Sequence, residues 1–444
     1  MIEDTILGYI MEKQEIIEIL SEWNYWDREL PPTVKRDSYD EKISKYIEKD
    51  EVLVIKGVRR CGKSTLLINQ IDRLHSNGVA RNKILFVNLE DPRFINHLTV
   101  NLLQDIKDAY LEYLNPKGKP YIFLDEVQTV VNWEKWVNKE VELKQSYITI
   151  TGSNSSLLSS EIASVLTGRY ISIDIYPLSF SEFLDFKGIL INSKMDLVSK
   201  KIELNRELNS YLKHGGFPRI VDYPDDEKKE LLSTYKNSIL LKDIVARFRL
   251  KNFAVLNDIA AFLVANTGII QSISKLKNNF SISHSMAHDY VDYLKKAYLI
   301  FEVNKFDYSL KKQRVNEKKY YSVDLGLSNL MRVPNREFRG ADLETIVFLE
   351  LLRRGYHVYY YKTSNDLEID FVVEQDNKII QLIQVSKTIK DEKTCKRELA
   401  PFERTKRELH LENVESLVIS EDNSRVLENE IKLLNIKEWC IHTF

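Results

Sequence analysis

Gly57, Gly62, Lys63 and Ser64 follow one another as Gly-x-x-x-x-Gly-Lys-Ser inside EVLVIKGVRRCGKSTLLINQI (51–71). Residues of these types at this spacing can do phosphate chemistry. The glycines let backbone N–H groups curl around a β-phosphate, Lys63 neutralises the β- and γ-phosphates, and Ser64 is placed to ligate Mg²⁺. ATP and Mg²⁺ are therefore the expected cofactors, with Arg60 and Thr65 as further nucleotide-binding candidates. Asp125-Glu126 closes KPYIFLDEVQ, where Asp125 is expected to join Ser64 in the metal shell and Glu126 to orient and deprotonate the attacking water. A solvated turn is the competing reading of that pair. YITITGSN (147–154) ends in small polar groups, and Asn154, ahead of Ser153, is the candidate that touches the γ-phosphate or the water. Cys61 sits inside the phosphate loop near Arg59, Arg60 and Lys63. A reactive thiol whose alkylation blocks ATP is weighed there against a small residue tolerated for its size.

These residues need a scaffold that brings strand ends together. Apolar runs at 52–56, 83–88, 121–125, 147–151 and 170–175 alternate with helical stretches, which predicts a parallel sheet covered on both faces. Ligands of such sheets sit at the carboxyl ends of the strands, where all the residues above fall. The chain has 444 residues, 43% hydrophobic and 29% charged, the balance of a multidomain globular protein. No run reaches the roughly 18 apolar residues of a membrane helix, and MIEDTIL lacks a basic signal-peptide start, so a cytoplasmic protein without a membrane partner is expected. Cys61, Cys395 and Cys440 are too few and too scattered for a disulfide framework or a zinc site. A net charge of −2 excludes non-specific nucleic-acid binding by the whole surface and leaves only a local patch.

The motifs GVRRCGKSTLL, FLDEVQ, TGSN, LTGRY, YPLSFSEF, GGFPR, LLKDIVARF, YYSVDLGL and EIDFVV occur in that order. From about Arg36 to the end the chain resembles the AAA+-type ATPases of archaea and bacteria, related to the STAND NTPases, that end in a winged helix and a PD-(D/E)xK nuclease-like tail. The resemblance implies an α/β fold: a P-loop NTPase parallel sheet with helical lid, a winged-helix domain and a C-terminal α/β restriction-endonuclease-like domain. It divides the chain into an ATPase core with an N-terminal helical segment (1–175), a lid (176–250), a winged helix (251–338) and a nuclease-like domain (339–444). It also implies that Arg169 is an arginine finger reaching a neighbouring subunit, hence a homo-oligomer, against an ordinary structural ion pair. By the same resemblance Pro218 covers the adenine and Arg219 senses the γ-phosphate, against an ordinary turn.

Within the winged-helix segment, 305–319 carries Lys305, Lys311, Lys312, Arg314, Lys318 and Lys319, with Phe306 and Tyr308 interleaved. Lys311, Lys312, Arg314 and Lys318 are the candidate contacts to DNA, and a solvated hairpin or a protein docking face is the alternative. In the tail, Glu344 and Asp370 match two acidic positions of the nuclease fold, but Gln384 and Ser386 stand where a carboxylate and a lysine are needed. Lys387 is expected to point away, because strand side chains alternate faces. The sequence thus reads as an ATP-hydrolysing switch or motor that binds nucleic acid, with a degenerate nuclease site. The alternative is an ATP-controlled assembly switch with an unknown protein partner and no DNA, and an ATP-dependent nuclease ranks last.

Overall fold

The computed structural model describes residues 11–154, 165–250, 252–333 and 339–441. The start MIEDTIL lies outside them. The described chain forms two compact units, one of Gly62–Ile175 with the segment up to Gly57, the other of Val58–Cys61 with the chain from Tyr176 onward.

The first unit is built on a five-stranded sheet of β1 (Val52–Gly57), β2 (Ile84–Asn88), β3 (Tyr121–Asp125), β4 (Tyr147–Gly152) and β5 (Tyr170–Ile175). All its pairings are parallel, in the order β2-β3-β4-β1-β5. The five strands predicted from the apolar runs are these five, with ends shifted by a residue at most. β1 and β3 are buried almost throughout because helices cover both faces, so their sequences carry apolar side chains without alternation. One core joins Ile16 and Leu20 of the helix Lys13–Trp23, Leu103 and Ile106 of Val100–Leu114, and Trp136 and Val137 of Trp133–Leu143 to the strands. Beside it, Lys107 donates to both oxygens of Glu140, at 2.8 and 2.7 Å, so the two buried charges neutralise each other.

The second unit begins with helices. Phe180–Phe186 starts on a reciprocal capping box between Ser179 and Glu182, Lys201–His214 follows, and Asp225–Ser238 runs on as a π-helical stretch, Ile239–Ala246. Helices Phe253–Ala265, Ile273–Phe280 and His284–Lys296 are interleaved with the antiparallel strands β6 (Ile269–Gln271), β7 (Ile300–Asn304) and β8 (Lys318–Ser322), ordered β6-β8-β7. The loop between β7 and β8 differs from a simple hairpin, since Leu310–Val315 is a short helix. The chain ends in the helix Arg339–Arg353 and a six-stranded sheet of β9 (His357–Lys362), β10 (Glu368–Gln375), β11 (Lys378–Val385), β12 (Glu415–Ser420), β13 (Arg425–Val426) and β14 (Lys432–Asn435). Its order is β13-β14-β12-β11-β10-β9.

The segments read from sequence as lid, winged helix and tail share one apolar core. Phe183 and Leu208 from the helices, Val303 and Tyr321 from β7 and β8, and Phe348 and Phe371 from the tail all belong to it. Tyr321 stacks on Phe348 with ring centroids 4.3 Å apart. Aromatic side chains from three segments interlock there, which ties those segments into one compact unit.

Candidate functional site

In the first unit, β1 delivers Gly57 and the helix Lys63–Ser76 departs behind Gly62, whose φ of 100° belongs to the left-handed region that glycine adopts without strain. Lys63 is buried, donates to the Gly57 carbonyl at 3.1 Å and lies 3.5 Å from Glu126. Ser64 donates from Oγ to Asp125 at 2.7 Å, and Thr151 donates to the other Asp125 oxygen at 2.5 Å. The Glu126 N–H in turn donates to Thr151 Oγ1 at 3.0 Å. Residues from β1, β3, β4 and the loop helix are thus wired into one site. Burial first, and the charge of Glu126 second, push Asp125 up to about 6, against the hydrogen bonds from Thr151 and Ser64. Glu126 adopts a left-handed conformation with φ 56°, a backbone strain that concentrates at functional positions, and Gln128 donates to it at 2.5 Å. Asn154 and Ser153 are buried just beyond the end of β4, and Gln128 Nε2 reaches Ser153 at 3.4 Å. Thr65 is exposed on the first turn of the helix.

Arg169 makes contacts within its own chain. Its guanidinium lies 3.2 Å from both Glu142 and Asn138 of its own chain.

Loop residues 58–61 belong with the second unit. There Arg59 is buried and makes a bidentate pair with Asp243, both bonds at 3.0 Å. Arg60, also left-handed at φ 73°, places its guanidinium 5.5 Å from the centre of the Tyr235 ring. Arg219 reaches the Tyr223 hydroxyl at 3.4 Å, and Pro218 opens a short 3-10 turn. The charges of Arg60 and Arg219 both act on Tyr235, whose buried hydroxyl has no hydrogen-bond partner among the described residues. Tyr235 had no motif to mark it. Cys61 exposes none of its surface, which fits the small tolerated residue and not the reactive thiol. Gly215 and Gly216 meet a structural need: Gly216 N–H donates to Asp324 at 2.7 Å, and a Cβ on Gly215 would stand 2.1 Å from the same carboxylate.

Of the expected basic wing, Lys311, Lys312 and Arg314 are exposed on the helix Leu310–Val315. Lys318, Lys319 and Phe306 turn inward, whereas Tyr308 stays exposed. Lys318 is half-buried, donates to Asn304 at 2.7 Å and to the Gln313 carbonyl, and is lowered by burial. Phe306 is packed in the tail's core with Val372 and Leu382 and offers no stacking face. A cleft of about 720 Å³ opens beside Arg314 and Lys318, with His284, His288 and Ser272 also on its walls.

Lys319 departs furthest from its sequence reading. It is buried, and its ammonium lies 2.5 Å from Glu344, 2.7 Å from Glu368 and 3.3 Å from Asp370. Tyr321, two residues on along the same face of β8, donates to Glu344 at 2.5 Å. Burial opposes the ammonium, but Glu344 and its neighbours outweigh it and raise Lys319 well above its ordinary value. Burial first, and the charge of Glu344 next, push Asp370 up to about 8. Gln384 accepts from the Asp370 N–H at 2.8 Å and donates to Glu398 at 3.1 Å, so its amide is already engaged. Ser386 donates to the Thr388 carbonyl at 3.2 Å, and Lys387 is exposed beyond the end of β11. Among the described residues as they stand, with the Lys319 ammonium seated among Glu344, Glu368 and Asp370, no group of three His, Cys, Asp or Glu side chains is arranged to hold a metal ion. The tail's residues do not fit a nuclease metal.

Residues 49–184 match the model of an AAA domain. Residues 205–337 and 339–439 match two domains of unknown function, DUF8612 and DUF4143. The uncharacterized protein MJ1544 of Methanocaldococcus jannaschii is 36% identical over 383 residues, covering 84% of this chain and 82% of the relative. An uncharacterized protein of Haemophilus influenzae is 35% identical over 353 residues, covering 78% of this chain and 85% of its own length. Among solved structures, AMPPCP-bound DnaA from Aquifex aeolicus aligns at 13% identity over 62% of this chain and 92% of its own, with a TM-score of 0.28. Drosophila ORC bound to DNA aligns at 13% identity over 74% and 95%, with a TM-score of 0.26. No helix among the described residues is long and apolar enough to cross a membrane.

Proposed function

This chain belongs to a family of AAA-domain proteins, and from that premise we propose that it binds and hydrolyses ATP as a STAND-like switch or motor acting on nucleic acid. The carrying observation is the convergence of Ser64 on Asp125 at 2.7 Å and of Lys63 on Glu126 at 3.5 Å, from elements 61 and 63 residues apart in sequence. Lys63 exchanges the Gly57 carbonyl and Glu126 for the β- and γ-phosphates. Glu126 accepts the proton of the attacking water, and Asn154 lies at the strand end from which that water or the γ-phosphate is touched. Ser64 and Asp125 would hold Mg²⁺, which supplies charge neutralisation on the phosphates when bound. The hydrogen-bonded hydroxyl and carboxylate fit that ion, since both are hard oxygen donors. Within the second unit, the buried Tyr235 hydroxyl, which has no hydrogen-bond partner among the described residues and feels the charges of Arg60 and Arg219, supports engagement of a polar ligand.

Exposed Lys311, Lys312 and Arg314 are the contacts proposed for DNA, read through the winged-helix order of the preceding helices and strands. A second reading, an ATP-controlled assembly switch with a protein partner, is favoured by the apolar residues among them: Tyr308, Leu310 and Val315 are 69, 71 and 76% exposed. The nuclease-like tail remains a binding surface in either case. The deciding experiment measures ATPase rate with and without duplex and single-stranded DNA, alongside the mass of the protein with ATP. A rate no higher than that of Lys63→Ala sinks hydrolysis. Stimulation by DNA selects the first reading, and a mass change with ATP but no response to DNA selects the second.

A further inference from the structure

Three acidic side chains that converge inside a protein need a cation. Leaving Glu344, Glu368 and Asp370 together in a site where their side chains are only 14, 30 and 13% exposed would be prohibitive without one. The chain supplies its own. Lys319 belongs to β8, the central strand of its sheet, paired to Ile270 on one side and Val303 on the other, so its backbone is fixed and its side chain extends into the cluster. The ammonium is a compact point charge with three donors, and three carboxylate oxygens stand within 2.5 to 3.3 Å of it. The surrounding atoms complete this arrangement: Glu344 also accepts from Tyr321, and the second oxygen of Asp370 accepts from the Val385 N–H at 2.9 Å. Gln384 stands beside them as a neutral amide and accepts from the Asp370 N–H at 2.8 Å.

We propose that Lys319 is the resident cation of this cluster, standing where a divalent metal ion would otherwise bind, and that removing its ammonium opens the cluster to a divalent cation. The lysine thereby excludes metal from the tail and pins β8 to β10 and to the helix Arg339–Arg353. The proposal is independent of the ATPase reading.

The test uses the full-length protein without nucleotide, with Mn²⁺ as the probe at matched ionic strength. Wild type and Glu368→Gln are expected to take up the same amount of Mn²⁺ and to melt at temperatures Mn²⁺ does not shift differently. Lys319→Met, which keeps the side-chain length and loses the charge, is expected to melt lower than wild type and to bind one additional Mn²⁺. That ion should raise its melting temperature by several degrees, and adding Glu368→Gln should abolish both effects. Lys319→Arg, which keeps a charge, is expected to stay blind to Mn²⁺. Uptake of Mn²⁺ by wild type that Glu368→Gln removes would overturn the proposal, as would a Lys319→Met protein with no additional ion. If Lys319→Met is recovered unfolded, its refolding decides: a folded yield that does not rise with Mn²⁺ overturns the proposal as well.

Discussion

Glu126→Gln separates ATP binding from ATP hydrolysis. Glu126 is buried, its N–H is anchored on Thr151, and one oxygen lies 3.5 Å from Lys63 while Gln128 holds the other. Glutamine preserves the shape and removes only the charge and the basicity. Loss of a general base lowers turnover roughly 10²- to 10⁴-fold, about 3–5 kcal/mol of barrier. The effect on binding has the opposite sign. At an effective dielectric of about 20 the gross attraction of the Lys63 and Glu126 charges is on the order of 4–5 kcal/mol, most of it offset by solvation. Once the carboxylate is neutral, Lys63 gives up less when phosphates arrive. ATP affinity is therefore expected to hold or to tighten by up to about tenfold, about 1.4 kcal/mol. Single-turnover hydrolysis gives the first quantity and equilibrium titration with a fluorescent ATP analogue the second. Turnover within tenfold of wild type would remove Glu126 from the chemistry, and parallel loss of ATP binding would show it to be structural.

Asp243→Ala strips Arg59 of its bidentate carboxylate and should destabilise the protein by about 3–5 kcal/mol in urea unfolding, whereas Arg59→Met combined with Asp243→Leu should recover most of that; equal losses in both would refute the ion-pair account. Reversing Lys311, Lys312 and Arg314 to Glu should weaken DNA binding across all sequences and flatten its salt dependence while basal ATPase survives, and unchanged DNA affinity would transfer this surface to a protein partner. No Mg²⁺- or Mn²⁺-dependent cleavage of linear, branched or single-stranded nucleic acid is expected, because Lys319 occupies the cluster and Gln384 is engaged; cleavage that disappears in Asp370→Ala would sink that expectation.

The candidate nucleotide site was legible in the sequence because its parts are local. A glycine-rich turn, its lysine and its serine are consecutive, and the fold that must surround them follows from apolar strands whose ends carry Asp125 and Asn154. That Gln384 and Ser386 offer neither a carboxylate nor a lysine could be read for the same reason, since residue type does not depend on what surrounds it. Thr151, which donates to Asp125 and receives the Glu126 N–H, was passed over although it begins the TGSN run, since a threonine in a strand carries no signal of its own.

Charge direction was not legible. Lys318 and Lys319 are neighbours in a basic run, and a count of charges treats them alike, but successive strand residues face opposite sides of a sheet. One turns back onto Asn304 and Gln313, and the other crosses to carboxylates 25, 49 and 51 positions later in the chain. The pairing of Arg59 with Asp243 spans 184 residues and is equally invisible to spacing. Sequence by itself determined which groups are present and which local backbone they need. Tertiary structure alone decided which charges meet, because the energy of a buried charge depends on distances of a few ångströms between elements that only packing brings together.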